Sequence, residues 1–206
     1  MRKSRPEDLS RLRSTGPDHV HDNGLAMSTR FNFQPTLAGT LLLMRPFTEA
    51  DFELLYAVAS DPEIWALHPF RERYQRPVFR QFIDDAVADR GGLVAVENAT
   101  GRIVGYSRYS QSKVGPDEIE IGWTFLERRL WGGSWNRDMK RIMLAHALAG
   151  FPRVIFRIGE ENLRSRRAME KIGGVMIPWN EVGEVFGRPV RHIGYAITRE
   201  AFSRWD

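Results

Sequence analysis

EIEIGWTFLERRLWGGSWNR, residues 118–137, decides how this chain is read, because an alternating strand there hands over to a helix through a glycine loop. Period two predicts Ile119, Ile121, Trp123 and Phe125 on one face of the strand and Glu118, Glu120, Gly122 and Thr124 on the other. Two carboxylates then share a face. On an edge strand that face is only solvated; in a sheet covered on both sides it lies in a cleft, where burial raises a carboxyl pKa and suits it to general-base work. The loop Arg128 to Trp135 runs into a helix predicted from Asn136 to Ala149. Gly132 and Gly133 allow backbone N–H groups to converge, and the helix N-terminus adds a positive dipole end, which together make a cradle for phosphate. The spacing matches neither the Walker pattern nor the dinucleotide fingerprint, and taken alone the two glycines are a weak signal that a plain flexible turn explains better.

Upstream, Leu41 to Arg45 reads as a strand, and Thr48 opens a helix with Asp51 as its capping-box partner. Phe52, Leu55, Tyr56 and Ala59 give that helix one apolar stripe, and a second helix is predicted from about Val78 to Arg90. Leu93 to Glu97 and Arg102 to Ser110 flank a turn at Asn98 to Gly101, an antiparallel hairpin. Downstream, Val154, Phe156 and Ile158 alternate as a strand, and Asn162 opens a short helix closed by Gly173 and Gly174. Two last strands, Gly174 to Trp179 and Val190 to Thr198, are joined by a loop containing Gly183 and Gly187. This order is an α/β architecture with a mixed sheet.

Composition narrows the function. The chain of 206 residues has no cysteine, which excludes a disulfide scaffold, a thiolate zinc site and a cysteine nucleophile. Its longest apolar run near the start, Leu41 to Met44, is far short of the ~20 residues that span a bilayer, so a cytoplasmic protein without a membrane partner is expected. The net charge of +4 is small, and half of it falls in residues 1–30, with six Lys/Arg against four Asp/Glu. That segment lacks apolar periodicity and reads as a disordered tail before a single domain at 31–206; a start at Met27 and a basic arm are the alternatives. His19 and His21 define no metal site, His146 reads as a packed helix residue, and His68 before Pro69 is placed on the substrate side. Asn162 is at least an N-cap, and Arg164, Arg166 and Arg167 at least a solvated face.

Four segments together resemble one family: Leu42, Met44, Arg45 and Pro46 with Thr48-Glu49-Ala50-Asp51; Glu120-Ile121-Gly122-Trp123; Trp131 to Asn136; and Asn162 to Gly173. They are similar to the GNAT-superfamily N-acetyltransferases, in the branch of the ribosomal-protein N-terminal acetyltransferases, over about Thr40 to Thr198. The resemblance implies a mostly antiparallel mixed sheet of about six to seven strands, with helices on both faces and a central V between Glu118–Phe125 and Arg153–Gly159. It implies acetyl-CoA in that V, with no metal, and the pyrophosphate on the amides of Gly132, Gly133, Ser134, Trp135, Asn136 and Arg137. Trp123, Asn162 and Arg167 complete the implied cofactor contacts.

The implied reaction is direct acetyl transfer to a primary amine, a protein N-terminus or a small molecule, in a ternary complex of a monomer or homodimer. Glu120 is the implied base. Ser134 and Asn136 stand where the family's loop usually has small glycine-like residues, and Met169 stands where many relatives place the tyrosine acid. Ser165 is the implied substitute. A CoA-binding regulator without activity is the main alternative; a basic nucleic-acid-binding module is the remaining one, and the near-neutral body argues against it.

Overall fold

The computed structural model describes residues 31–179, 181–185 and 187–205. The reading of residues 1–30 as a tail lies outside them. Strand β1 (Leu37–Ala38) turns into β2 (Leu42–Pro46), and a 3-10 turn at Glu49–Asp51 leads into α1 (Phe52–Ala59). Thr48 and Asp51 form the expected capping box, and Arg45 adds two charge-assisted bonds to the same carboxylate at 2.8 and 2.7 Å. Helices α2 (Pro62–Trp65) and α3 (Arg76–Ala88) follow, separated by a 3-10 turn at Arg71–Tyr74. The short α2 has no apolar periodicity and was not predicted; Asp61 caps it and Pro62 starts it.

The remaining elements are β3 (Gly92–Glu97), β4 (Ile103–Ser110), β5 (Glu118–Leu126), α4 (Trp135–Gly150), β6 (Arg153–Gly159), α5 (Leu163–Lys171), β7 (Val175–Ile177), β8 (Val182–Val185), β9 (Arg188–Thr198) and α6 (Arg199–Phe202). The sheet runs β1-β2-β3-β4-β5-β6-β9-β7, with β8 on β9. The nine strands among the described residues exceed the six to seven expected. The two-residue β1 is too short to show a pattern. The loop predicted around Gly183 and Gly187 is in fact a hairpin, because β8 pairs with the start of β9 from Val182↔Arg191 to Val185↔Arg188, with Gly187 at φ +74°.

Every neighbouring pair is antiparallel except β5 and β6, which pair in parallel over three rungs only, Glu118↔Arg153 to Glu120↔Ile155. Beyond Glu120 the two strands part, while β6 stays on β9 along its whole length. This is the expected V. One face of the sheet packs on α4 through Ile119, Ile121, Met139, Met143 and Phe156. The other face packs on α1 and α3 through Leu55, Phe79, Ile83, Tyr106 and Phe125.

The period-two reading of β5 fails in its second half. The β4–β5 register shifts between Tyr106 and Arg108, and Trp123 takes the left-handed φ of +54°. A bulge of this kind adds one residue and reverses the alternation beyond it. Glu120 therefore shares its face with Trp123 and Phe125, while Thr124 joins Ile119 and Ile121 on the side of α4.

Buried Asp138 in the first turn of α4 accepts the amides of Thr40, Leu41 and Leu42 at 3.0, 2.8 and 3.1 Å. It ties the β1–β2 turn to the helix. A carboxylate there also suits the helix dipole.

Candidate active site

Glu120 ends the last rung of the β5–β6 ladder, at the apex of the V. It is 3 % exposed, and Arg157 from β6 donates to its Oε2 through Nε at 3.0 Å and Nη2 at 2.9 Å. Burial pushes the Glu120 carboxyl above the usual carboxylate range, against the pull of the Arg157 and Arg108 charges. Arg157 turns its Nη1 to Glu181 at 2.7 Å, and Lys113 holds the other oxygen of Glu181 at 2.6 Å. Lys113 above all, with Arg157 and Trp179, holds the Glu181 carboxyl at about 2. On the other side of Glu120, Arg108 lies over the Trp123 ring at 4.3 Å and pairs with Asp89. The predicted base is thus a buried carboxyl in a chain of alternating charges, with its hydrogen bonds among the described residues all on Oε2.

The open end of the V meets the glycine loop. Gly132 has φ +77°, which a side chain would strain, and Ser134 stands at the N-cap of α4 with no side-chain cap bond. None of the amides from Gly132 to Arg137 finds an acceptor among the described residues. Unpaired N–H groups at a 16-residue helix are what a phosphate requires. Ser134 departs from the usual loop only in its side chain, and its amide is as free as a glycine's. The Arg137 side chain reaches the carbonyl of Trp205 at 3.2 Å. Arg167 on α5 is exposed and has no partner among the described residues.

Asn162 is buried and caps α5, accepting the Ser165 amide at 3.1 Å. Ser165 follows one turn later, half-buried. Met169 is buried, and the Tyr195 hydroxyl is occupied, donating to Glu170 and accepting from Arg166, both at 3.2 Å. Helix α5 carries no tyrosine, and the tyrosine of β9 has its hydroxyl turned to α5.

The wall over the β6 end of the V is the unpredicted segment from α2 to the 3-10 turn. Pro69 presses on Gly159, where a Cβ would lie 2.6 Å from its Cγ. His68 belongs to this wall, but Nδ1 accepts the Phe70 amide and Nε2 lies 3.2 Å from Arg73, so both ring nitrogens are engaged locally. His146 is packed against Phe31 and Tyr109, as expected of a structural residue.

Two residues of this region were missed in the sequence. Arg157 has the parity of a polar position between Phe156 and Ile158, but only the β5–β6 register sets it beside Glu120. Lys140 falls in the apolar stripe of α4 with Leu144 and Ala147, and a lysine in such a stripe was a signal that could have been taken up.

A parallel pair opens into a V with a loop of unpaired amides at its mouth and a buried carboxyl at its apex, and the family to which this chain belongs is one of acetyltransferases. Residues 42–175 match the family model described as the acetyltransferase (GNAT) domain, and the chain belongs to that family. Solved structures with the same fold include an acetyltransferase of the GNAT family from Bacillus anthracis, at 20 % identity and a TM-score of 0.65 over 81 % of this chain and 99 % of that one. Another is Mycobacterium smegmatis RimJ in complex with CoA-disulfide, at 17 % identity and 0.67 over 84 % and 94 %. A third is spermidine N-acetyltransferase from Vibrio cholerae with CoA and spermine, at 15 % identity and 0.61 over 80 % and 99 %.

Proposed function

We propose that this acetyltransferase takes its acetyl group from acetyl-CoA and passes it to a primary amine by direct attack in a ternary complex. One observation carries the reading: the unpaired amides of Gly132 to Arg137 stand at the mouth of a V whose apex holds the buried Glu120. In this reading the amides hold the pyrophosphate and Arg167 adds charge to the phosphates. Trp123, at the β5 bulge, and Asn162, at the head of α5, border the pantetheine arm. Glu120 takes the proton of the attacking amine, directly or through one water, and Ser165 donates a hydrogen bond toward the leaving sulfur.

A protein N-terminus is the first acceptor to test. The likeness of four sequence segments to the ribosomal-protein N-terminal acetyltransferases and the fold shared with RimJ both support it. Polyamines come second, on the fold shared with the spermidine enzyme. The experiment is an acetyl-CoA consumption screen across peptide N-termini and small amines, with thermal shift measured in parallel. At ~100 times its dissociation constant a ligand adds about 2.7 kcal/mol. Stabilisation with no turnover across the whole panel would assign a binding role instead, and no stabilisation by acetyl-CoA or CoA would end the reading.

A further inference from the structure

Lys140 is 4 % exposed, on the face of α4 that lies under the V. Its Nζ donates to Thr124 Oγ1 at 2.8 Å and stands 5.3 Å from the Phe156 ring centroid, so it meets β6 at the residue after the last rung and β5 farther along its diverging arm. Thr124 belongs to that face only because of the bulge at Trp123. Its hydroxyl continues to Ser107 Oγ at 2.8 Å.

An ammonium has three N–H groups, and a neutral hydroxyl and a ring compensate this one poorly. The charged neighbours are all engaged elsewhere. On β5, Glu118 pairs with Arg153 of β6, and Glu120 pairs with Arg157 on the opposite face of the sheet. On β4, Arg108 pairs with Asp89, and the Tyr109 hydroxyl donates to the Met143 carbonyl. On α4 itself, Asp138 takes the amides of the β1–β2 turn and pairs with Arg141, and Arg137 reaches Trp205. Burial alone lowers the Lys140 amine to about 7, close to the pH at which a proton donor works best.

We infer that Lys140 faces the sulfur of the bound thioester and protonates it as the carbon–sulfur bond breaks. The inference rests on the reading of acetyl-CoA in the V. With the phosphates at the open end, the thioester reaches down between the arms, with Glu120 at the apex on one face of the sheet and Lys140 on the other face. The amine nitrogen bonds to the carbonyl carbon and gives its proton to Glu120. The carbon–sulfur electron pair goes to sulfur, which takes a proton from Lys140. Glu120 then loses its proton to water and Lys140 regains one, leaving an acetamide and the CoA thiol. Transfer from an amine of pKa about 7 to a thiolate of ordinary basicity is downhill. Ser165, a hydroxyl of ordinary acidity, can donate a hydrogen bond but does not supply this proton.

The test starts with CoA alone, whose bound thiolate is read by its ultraviolet absorbance in a pH titration. With wild-type protein the thiolate absorbance is expected to start in a minor phase near pH 7 that Lys140→Met lacks, because the ammonium still present there stabilises the thiolate, while the rest of the thiol ionises at its ordinary pH. In turnover, wild-type kcat falls above pH about 7, K140R loses that limb because guanidinium stays charged, and K140M is slower by about a hundredfold or more. CoA that binds with superimposable thiolate titration curves in wild type and K140M overturns the role of Lys140 and leaves the acetyl-CoA reading standing. Failure of CoA to bind overturns both.

Discussion

Glu120 and Asp138 are both buried carboxylates on the α/β core, and their surroundings give them different work. Glu120 meets two guanidiniums in a site that burial has tuned upward, so its ionised form is lost at a higher pH than an ordinary glutamate's. Transfer that needs the carboxylate should rise with pH through that elevated value. Glu120→Gln keeps the shape and removes the base, and turnover is expected to fall by roughly two to four decades with acetyl-CoA binding unchanged. Wild-type rates in E120Q would move the base elsewhere. Ser165→Ala is expected to slow turnover about tenfold or more without changing the form of the pH profile, since a lost hydrogen bond alters no titration; an altered basic limb would contradict that division from Lys140. Asp138 is structural. Asp138→Ala removes three charge-assisted bonds to the β1–β2 turn and should cost about 2–4 kcal/mol in denaturant unfolding. The chemical type of Glu120 and the capping role of Asn162 were legible, because each depends on neighbours within a few residues. Asp138 and Arg157 were not, because their partners lie on other elements.

At the level of elements, the strand and helix from 118 to 150 were read correctly in kind and order, and the error lay inside the strand. A bulge is a property of two paired strands, and the alternation of β5 alone carries no mark of where β4 skips a residue. That single residue at Trp123 decides which side chains look toward Glu120 and which toward Lys140. The short wall from α2 to the 3-10 turn is the other element that periodicity missed. It is held by Pro69 on Gly159 and by Arg73 against the Phe70 and Phe82 rings at 4.4 and 4.5 Å, contacts with no repeat. Gly159→Ala should push this wall off the end of β6. The expected result is a several-fold rise in KM for the acceptor with little change in the acetyl-CoA thermal shift; an equal loss of both would show that β6 itself had moved.

For the whole molecule, the buried charge at Lys140 has a thermodynamic signature. Its amine titrates at about 7 when folded and near 10.4 when unfolded, so below pH 7 the folded state bears the full cost of burying the ammonium. Between these values the unfolded chain binds more protons, and stability rises with pH. Lys140→Met should therefore be more stable than wild type at pH 6 by a few kcal/mol, with the difference shrinking toward pH 10; equal melting temperatures at pH 6 would contradict the buried charge. Truncation is a second probe. Phe31 packs on Phe33, Tyr109 and Phe151 at 5.0, 5.4 and 5.1 Å, so a chain beginning at Phe31 should keep the wild-type melting temperature while one beginning at Gln34 should lose about 3 kcal/mol or more. A large loss on removing residues 1–30 would show that they dock. The α/β class, the order of most elements, the glycine loop ahead of α4 and the acidic strand all followed from local patterns, since helix stripes, caps and strand alternation depend on residues a few positions apart. The depth of the V, the face on which each β5 side chain lies, the Arg157 clamp and the buried position of Lys140 came from strand register and from packing between distant segments, which no local pattern encodes.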